Sequence, residues 1–164
     1  MPPVRSSSGR HPASLPSSLR ERKTMKASAR KLDWATVPEE IRPFVSKGQT
    51  FTTPEKGYEV HAVSVFEKVT FFLVIDDLDT PVFLPSWAFS LTSKDVPEDW
   101  ICNTDLGGEV DLVIGPEFIA RDLEAYIAMI DQETKPLNLF WRRASSTSST
   151  AADATWAKDE CRQE

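Results

Sequence analysis

Chemistry in this chain would have to come from very few side chains. It holds two histidines, His11 and His61, and two cysteines, Cys102 and Cys161. None of them has metal-ligand spacing and no CxxC is present, so no zinc site is expected. The run "DDLDT" supplies Asp76, Asp77 and Asp79, like the opening of a calcium loop. The central glycine of such a loop is missing, and Ala88 stands where a bidentate glutamate is needed. These acids read as a solvated hairpin end. Ser86, in "LPSW", lies in a turn, and His61 is the residue that could serve it as a base. Glu98 and Asp99 are adjacent carboxylates, and adjacent side chains usually point apart. There is no GxSxG, Walker or dinucleotide pattern. The expectation is therefore no catalytic residue, no metal and no cofactor. His61 reads as a half-buried structural histidine, or as a pH-sensitive contact. Cys102 reads as a small core residue within a strand.

Aromatic residues offer a different chemistry. Within "PVFLPSWAFSLTSKDVPEDWICN" (Pro81–Asn103), Trp87 and Trp100 each follow a proline closely, with Phe89 between them. With Tyr58 and Phe66 they could line a groove for a proline-rich or extended peptide. The competing reading makes the tryptophans core plugs. Burying an indole removes on the order of 200 Å² from water, worth roughly 4–5 kcal/mol. That is a large share of the ~5–15 kcal/mol by which such domains are stable. The partner-binding candidates are Tyr58, Trp87, Phe89 and Trp100, together with the acids Asp76, Asp77 and Asp79.

Charge narrows the class of partner. The 164 residues carry a net charge of −6. Residues 1–30 hold seven basic side chains and one acid, a local +6, which leaves −12 for the remainder. A surface that acidic repels phosphate backbones and attracts basic proteins. Only the N-terminal arm could serve a nucleic acid. One cysteine pair is no disulfide framework and suits a reducing compartment. The longest apolar run, "VTFFLVI" (Val69–Ile75), has strand length, not the ~20 residues of a membrane helix. No apolar segment near the start reads as a secretory signal.

Three regions are expected. Residues 1–32 read as a disordered basic tail rich in Ser, Pro and Arg, with Met25 as the more natural start. A transit peptide is the alternative reading of that tail. Residues 33–143 read as a single compact domain, and 144–164 as a second disordered tail.

Within the domain, "VPEEIRPFV" (Val37–Val45) predicts a short helix and "QTFTT" (Gln49–Thr53) a short strand. "YEVHAVSVF" (Tyr58–Phe66) predicts one strand, turned at Glu67-Lys68 into "VTFFLVI". Glu-Lys is a poor match for a type I′ turn. Both faces of "VTFFLVI" are apolar, so each must be covered. "PVFL", "WICN" and "GEVDLVIG" complete the strands. "PEFIARDLEAYIAMIDQE" (Pro116–Glu133) predicts a helix that Asp122 could break, with Ile119, Leu123, Tyr126, Ile127 and Ile130 on its apolar face. "PLNLFWRR" (Pro136–Arg143) predicts another short helix. The fold class is α+β: a small SH3-like antiparallel β-barrel of five to six strands followed by C-terminal helices.

The stretches "PEEIRPFVSKG", "YEVHAVSVFEKVTFFLVIDD", "LPSWAF", "VPEDWICN" and "IGPEF…LEAYIAMI" together resemble a family of small bacterial proteins of unknown function. The resemblance spans about residues 37–143. Leu84 departs from it where relatives carry an aromatic residue, and Glu67-Lys68 where many carry a polar-Gly turn. The resemblance implies an immunity-like or accessory binding role and attaches no reaction to it.

The leading functional expectation is a non-enzymatic, acidic protein-interaction module of the bacterial cytoplasm that binds a basic partner such as a toxin. One alternative is an enzyme or accessory subunit with a site near Ser86, His61 and Glu98. Another is a nucleic-acid adaptor working through the basic N-terminal arm.

Overall fold

A computed structural model describes residues 23–45 and 52–152, with side chains through residue 146. The strands are β1 (Met25–Ala29), β2 (Gly57–Val60), β3 (Ala62–Phe66), β4 (Val69–Ile75), β5 (Pro81–Pro85), β6 (Phe89–Lys94), β7 (Trp100–Asn103) and β8 (Val110–Pro116). The helices are α1 (Glu117–Ala120), α2 (Leu123–Ile130) and α3 (Thr134–Ala152). The class is α+β, as the alternation of short strands and late helices implies. The strands form two antiparallel sheets, one of three in the order β2-β1-β6 and one of five in the order β5-β4-β3-β8-β7. Eight strands in two sheets take the place of the expected single barrel of five to six.

The difference has two physical origins. The first is β1, which falls inside the segment read as a disordered tail. "MKASA" carries almost no hydrophobic signal, yet β1 is the central strand of its sheet. It pairs with β2 from Met25↔Val60 to Ser28↔Gly57 and with β6 from Met25↔Lys94 to Ala29↔Phe89. Ala27 and Ala29 are fully buried, and their small side chains leave room for Tyr58, Phe72 and Phe89. Tertiary pairing on both edges overrides weak local propensity.

The second origin is the bend at His61. The expected single strand over Tyr58–Phe66 is two strands in two different sheets. The His61 N–H still donates to the Leu73 carbonyl at 2.8 Å, so the chain enters the larger sheet without losing a bond. Tyr58 and Val60 pack between the sheets, whereas Ala62 packs against the helices. A strand that switches sheets in this way forms the corner between two packed layers.

Strand β4 shows why both of its faces are apolar. Phe72 and Val74 face the three-stranded sheet. Leu73 packs with Ile119, Tyr126, Met129 and Phe140 from the helices. Val69 and Phe71 pack with Val37 and Ile41, backed by Trp34, Phe44 and Trp87.

Several local expectations change. Val37–Val45 is not an α-helix but turns ending in a 3-10 turn at Arg42–Phe44, where Pro43 interrupts the ladder. Residues 46–51, with most of the strand expected at Gln49–Thr53, lie outside the described residues, and Thr52 and Thr53 are not strand. Residues 1–22 and 153–164, with His11, Trp156 and Cys161, also lie outside them. The helix expected to stop at Arg143 continues as α3 to Ala152, through part of the segment read as a tail. Its buried face is Leu137, Phe140 and Ala144, at spacings of three and four. Among the described residues no helix is long and apolar enough to cross a membrane.

Candidate functional site

The partner-binding residues expected from the sequence do not form one surface. Tyr58 and Phe89 are buried between the sheets, with ring centroids 6.0 Å apart in a T-shaped pair. Trp100, half-buried, closes the same layer from the end of β7. Trp87, also half-buried, packs on the other side of β4 with Val37, Ile41 and Phe71. These four aromatics are therefore core and plug residues of two separate layers, which corrects the exposed platform. The proline-punctuated turns aim the two tryptophans inward.

Asp77 and Asp79 are exposed at the hairpin end, as expected, whereas Asp76 is not solvated. Asp76 is buried, and its Oδ1 accepts from the N–H groups of Leu78 and Thr80, each at 2.9 Å. Asp77 is the hub of a small network. Its Oδ1 accepts from Lys56 Nζ at 2.5 Å and from the Tyr58 hydroxyl at 2.9 Å, and its Oδ2 accepts from the Thr53 hydroxyl at 2.7 Å. The Lys56 and Thr53 bonds hold its carboxyl down at about 2. Asp79 follows at φ 55° and lines a cavity beside His61.

Ser86 and His61 do not meet. Ser86 continues β5 on one side of β4, and His61 leads into β3 on the other. Two strand spacings, at least about 10 Å, separate those positions. Glu98 sits in the Pro97–Trp100 turn that opens β7, at the opposite edge of the sheet from β5. Cys102 is exposed on that edge strand, contrary to the core position expected for it. Among the described residues no group of three His, Cys, Asp or Glu side chains could hold a metal ion.

The surface feature that sequence reasoning missed runs along α2. Asp122 breaks the expected helix: it has φ −158°, and its Oδ1 accepts from the Ala125 N–H at 2.8 Å as the cap of α2. The helix then buries Ala125, Tyr126 and Met129. Tyr126 pins it to the sheet, donating to Ser64 Oγ at 3.1 Å with its ring 5.3 Å from that of Phe83. Burial pushes the Tyr126 phenol pKa up. Ile127 and Ile130, expected on the buried face, are 44% and 49% exposed.

A groove of about 530 Å³ opens beside them. Its far wall is aromatic: the Phe44 ring stands edge-on to Phe71 at 5.1 Å and to Phe66 at 6.2 Å. Gln132, at φ 55°, closes one end and donates to the Pro81 carbonyl at 3.4 Å. Among the described residues that line the groove, Glu109 alone is charged. More acids stand around it. The Glu67 N–H donates to the Glu109 carbonyl at 3.1 Å, and exposed Asp131 and Glu133 flank Gln132. The clue in the sequence was the apolar stripe of α2, which is wider than its neighbours can cover. Compared with known proteins, the chain matches no family model, no curated protein and no solved structure.

Proposed function

We propose that this protein is an acidic interaction module that binds a basic protein partner by taking an apolar side chain of it into the α2 groove. The observation that carries this reading is the groove itself: exposed Ile127 and Ile130 beside an aromatic wall, with Glu109 as the charged residue of its lining. Two large aliphatic side chains left half in water are a standing cost that a partner would remove. The rim acids and the negative carbonyl end of α2 favour a partner with lysine or arginine next to its apolar anchor. The recognition is of the helix-in-groove kind. An immunity-like role toward a basic toxin in the cytoplasm is the biological form of this proposal.

The test is equilibrium binding of a fluorescent, amphipathic leucine–lysine helical peptide, set against its leucine–glutamate counterpart. The lysine peptide is expected to bind, more weakly as salt rises. Equal binding of both peptides, or of neither, would overturn the proposal.

A further inference from the structure

A second cavity, of about 330 Å³, lies where the His61 bend meets α3 and the β4–β5 turn. His61 is only 8% exposed, and its side chain lines this cavity. Its ring nitrogens make no hydrogen bond to any described residue. Its ring stands edge-on to Phe140, at 4.9 Å between centroids. Buried polar groups are nearly always paired, so an imidazole that opens only into a cavity calls for a partner inside it. Burial, helped by the positive charge of Arg143, lowers its pKa to about 4. The ring is then neutral near pH 7 and offers one acceptor nitrogen and one N–H donor.

The remaining lining gives the partner its charge. Glu59, Asp76 and Asp79 contribute three carboxylates, against the ammonium of Lys56, which is held by Asp77, and the guanidinium of Arg143 near His61, which is held by Asp99. Trp141, 36% exposed, supplies an indole wall. An anion would face three carboxylates, and an apolar ligand would leave the imidazole unpaired. A planar cation with several N–H donors suits the acceptor nitrogen of the ring, the carboxylates and the indole face. It donates to the imidazole and to a carboxylate, and it stacks on the indole.

We propose that this cavity binds a guanidinium group, carried either by a small guanidino compound or by an arginine side chain of a protein partner. The site is independent of what occupies the α2 groove.

The test follows the His61 ring signals by NMR in the full chain while methylguanidinium is added, with methylurea as the neutral isostere. Saturable shifts at His61 are expected with the cation and not with methylurea. Asp79→Asn should weaken the cation about tenfold, the loss of one charge-assisted hydrogen bond. Asparagine tolerates the positive φ at this position, so the variant should keep the fold. An arginine peptide that displaces methylguanidinium and binds more tightly than it does would assign the group to a protein. Weaker binding by the peptide would assign it to a small molecule. No saturable shift, equal shifts with methylurea, or unchanged affinity in both Asp79→Asn and Glu59→Gln would overturn the proposal.

Discussion

The ring of His61 stands edge-on to that of Phe140, with centroids 4.9 Å apart, so the bend between the two sheets is sealed by the first buried aromatic of α3. This contact has a pH signature. Burial holds the imidazole pKa at about 4, against 6.5 when exposed. The unfolded chain therefore binds a proton in that window that the folded chain does not. The resulting stability is fully present above 6.5 and is lost as pH falls toward 4. Its size is about 3 kcal/mol by linkage. Urea unfolding across the window should show this loss in the wild type and a flatter profile in His61→Phe. Parallel profiles would mean that the histidine is not held neutral.

Acid loss at Asp77 should come later. Its carboxyl is lowered from 3.8 to about 2 by the bonds from Lys56 and Thr53, so its contribution is present above 3.8 and lost as pH falls through about 2. Asp77→Asn should reduce the pH dependence in this lower window, to which the Asp122 carboxyl, lowered by the Ala125 N–H, also contributes, and leave the His61 window intact. Unfolding curves on the acid side test this.

Glu67 and Lys68 turn the β3–β4 hairpin at φ 47° and φ 66°. Left-handed conformations cost roughly 1–2 kcal/mol per residue with a side chain beyond asparagine. Replacing the pair with Asn-Gly should raise stability by about 1 kcal/mol and raise the melting temperature. The bond from the residue 67 N–H to the Glu109 carbonyl is a backbone contact and survives the change. A lower melting temperature would show that the side chains contribute more than the strain costs.

Gly115 has the opposite sensitivity. A Cβ there would lie 2.9 Å from the Ala62 Cβ and 3.5 Å from its Cα, atoms that cannot move without shifting β3 beside the His61 bend. Gly115→Ala should cost about 1–3 kcal/mol by overpacking, measured by chemical unfolding. A neutral result would mean that the two strands have slack at the corner.

Trp100 carries a buried indole N–H with no hydrogen-bond partner among the described residues. Leaving such a donor unpaired costs about 1–3 kcal/mol. Trp100→Phe gives up packing area but removes the orphan, so it should cost under about 1 kcal/mol, whereas Trp100→Ala should cost about 3–5 kcal/mol. Equal losses in the two variants would argue that the N–H is satisfied in solution.

Elements with a strong period were legible in the sequence. The two-faced apolar strand Val69–Ile75, the hairpin turn at Glu67-Lys68 and the break at Asp122 all stand where the pattern puts them. What escaped was tertiary in origin. "MKASA" becomes a central strand because of what pairs with it, which no local window reports. The switch of sheet at His61 leaves the apolar period of the sequence intact, since Tyr58, Val60 and Ala62 are all buried although in different layers, so two strands read as one. Tyr58 and Phe89 looked like a surface because aromatic residues suit binding faces and cores alike, and only the second sheet decides between them. Along α2 the apolar stripe was visible, but which part of it the sheet leaves uncovered depends on how Tyr126 pins the helix to Ser64.

The central claim is that the groove beside Ile127 and Ile130 takes up the apolar anchor of a basic partner. The most direct measurement is isoleucine-methyl NMR of the full chain titrated with the leucine–lysine peptide. Lysine rather than arginine keeps the guanidinium cavity out of the readout. The methyls of Ile127 and Ile130 are expected to shift together and saturate, while Ile101, exposed on the β7 edge, stays still. Ile130→Asp should abolish the effect without changing the rest of the spectrum. Shifts centred on Ile101, or shifts that persist in Ile130→Asp, would place the interaction elsewhere and contradict the claim.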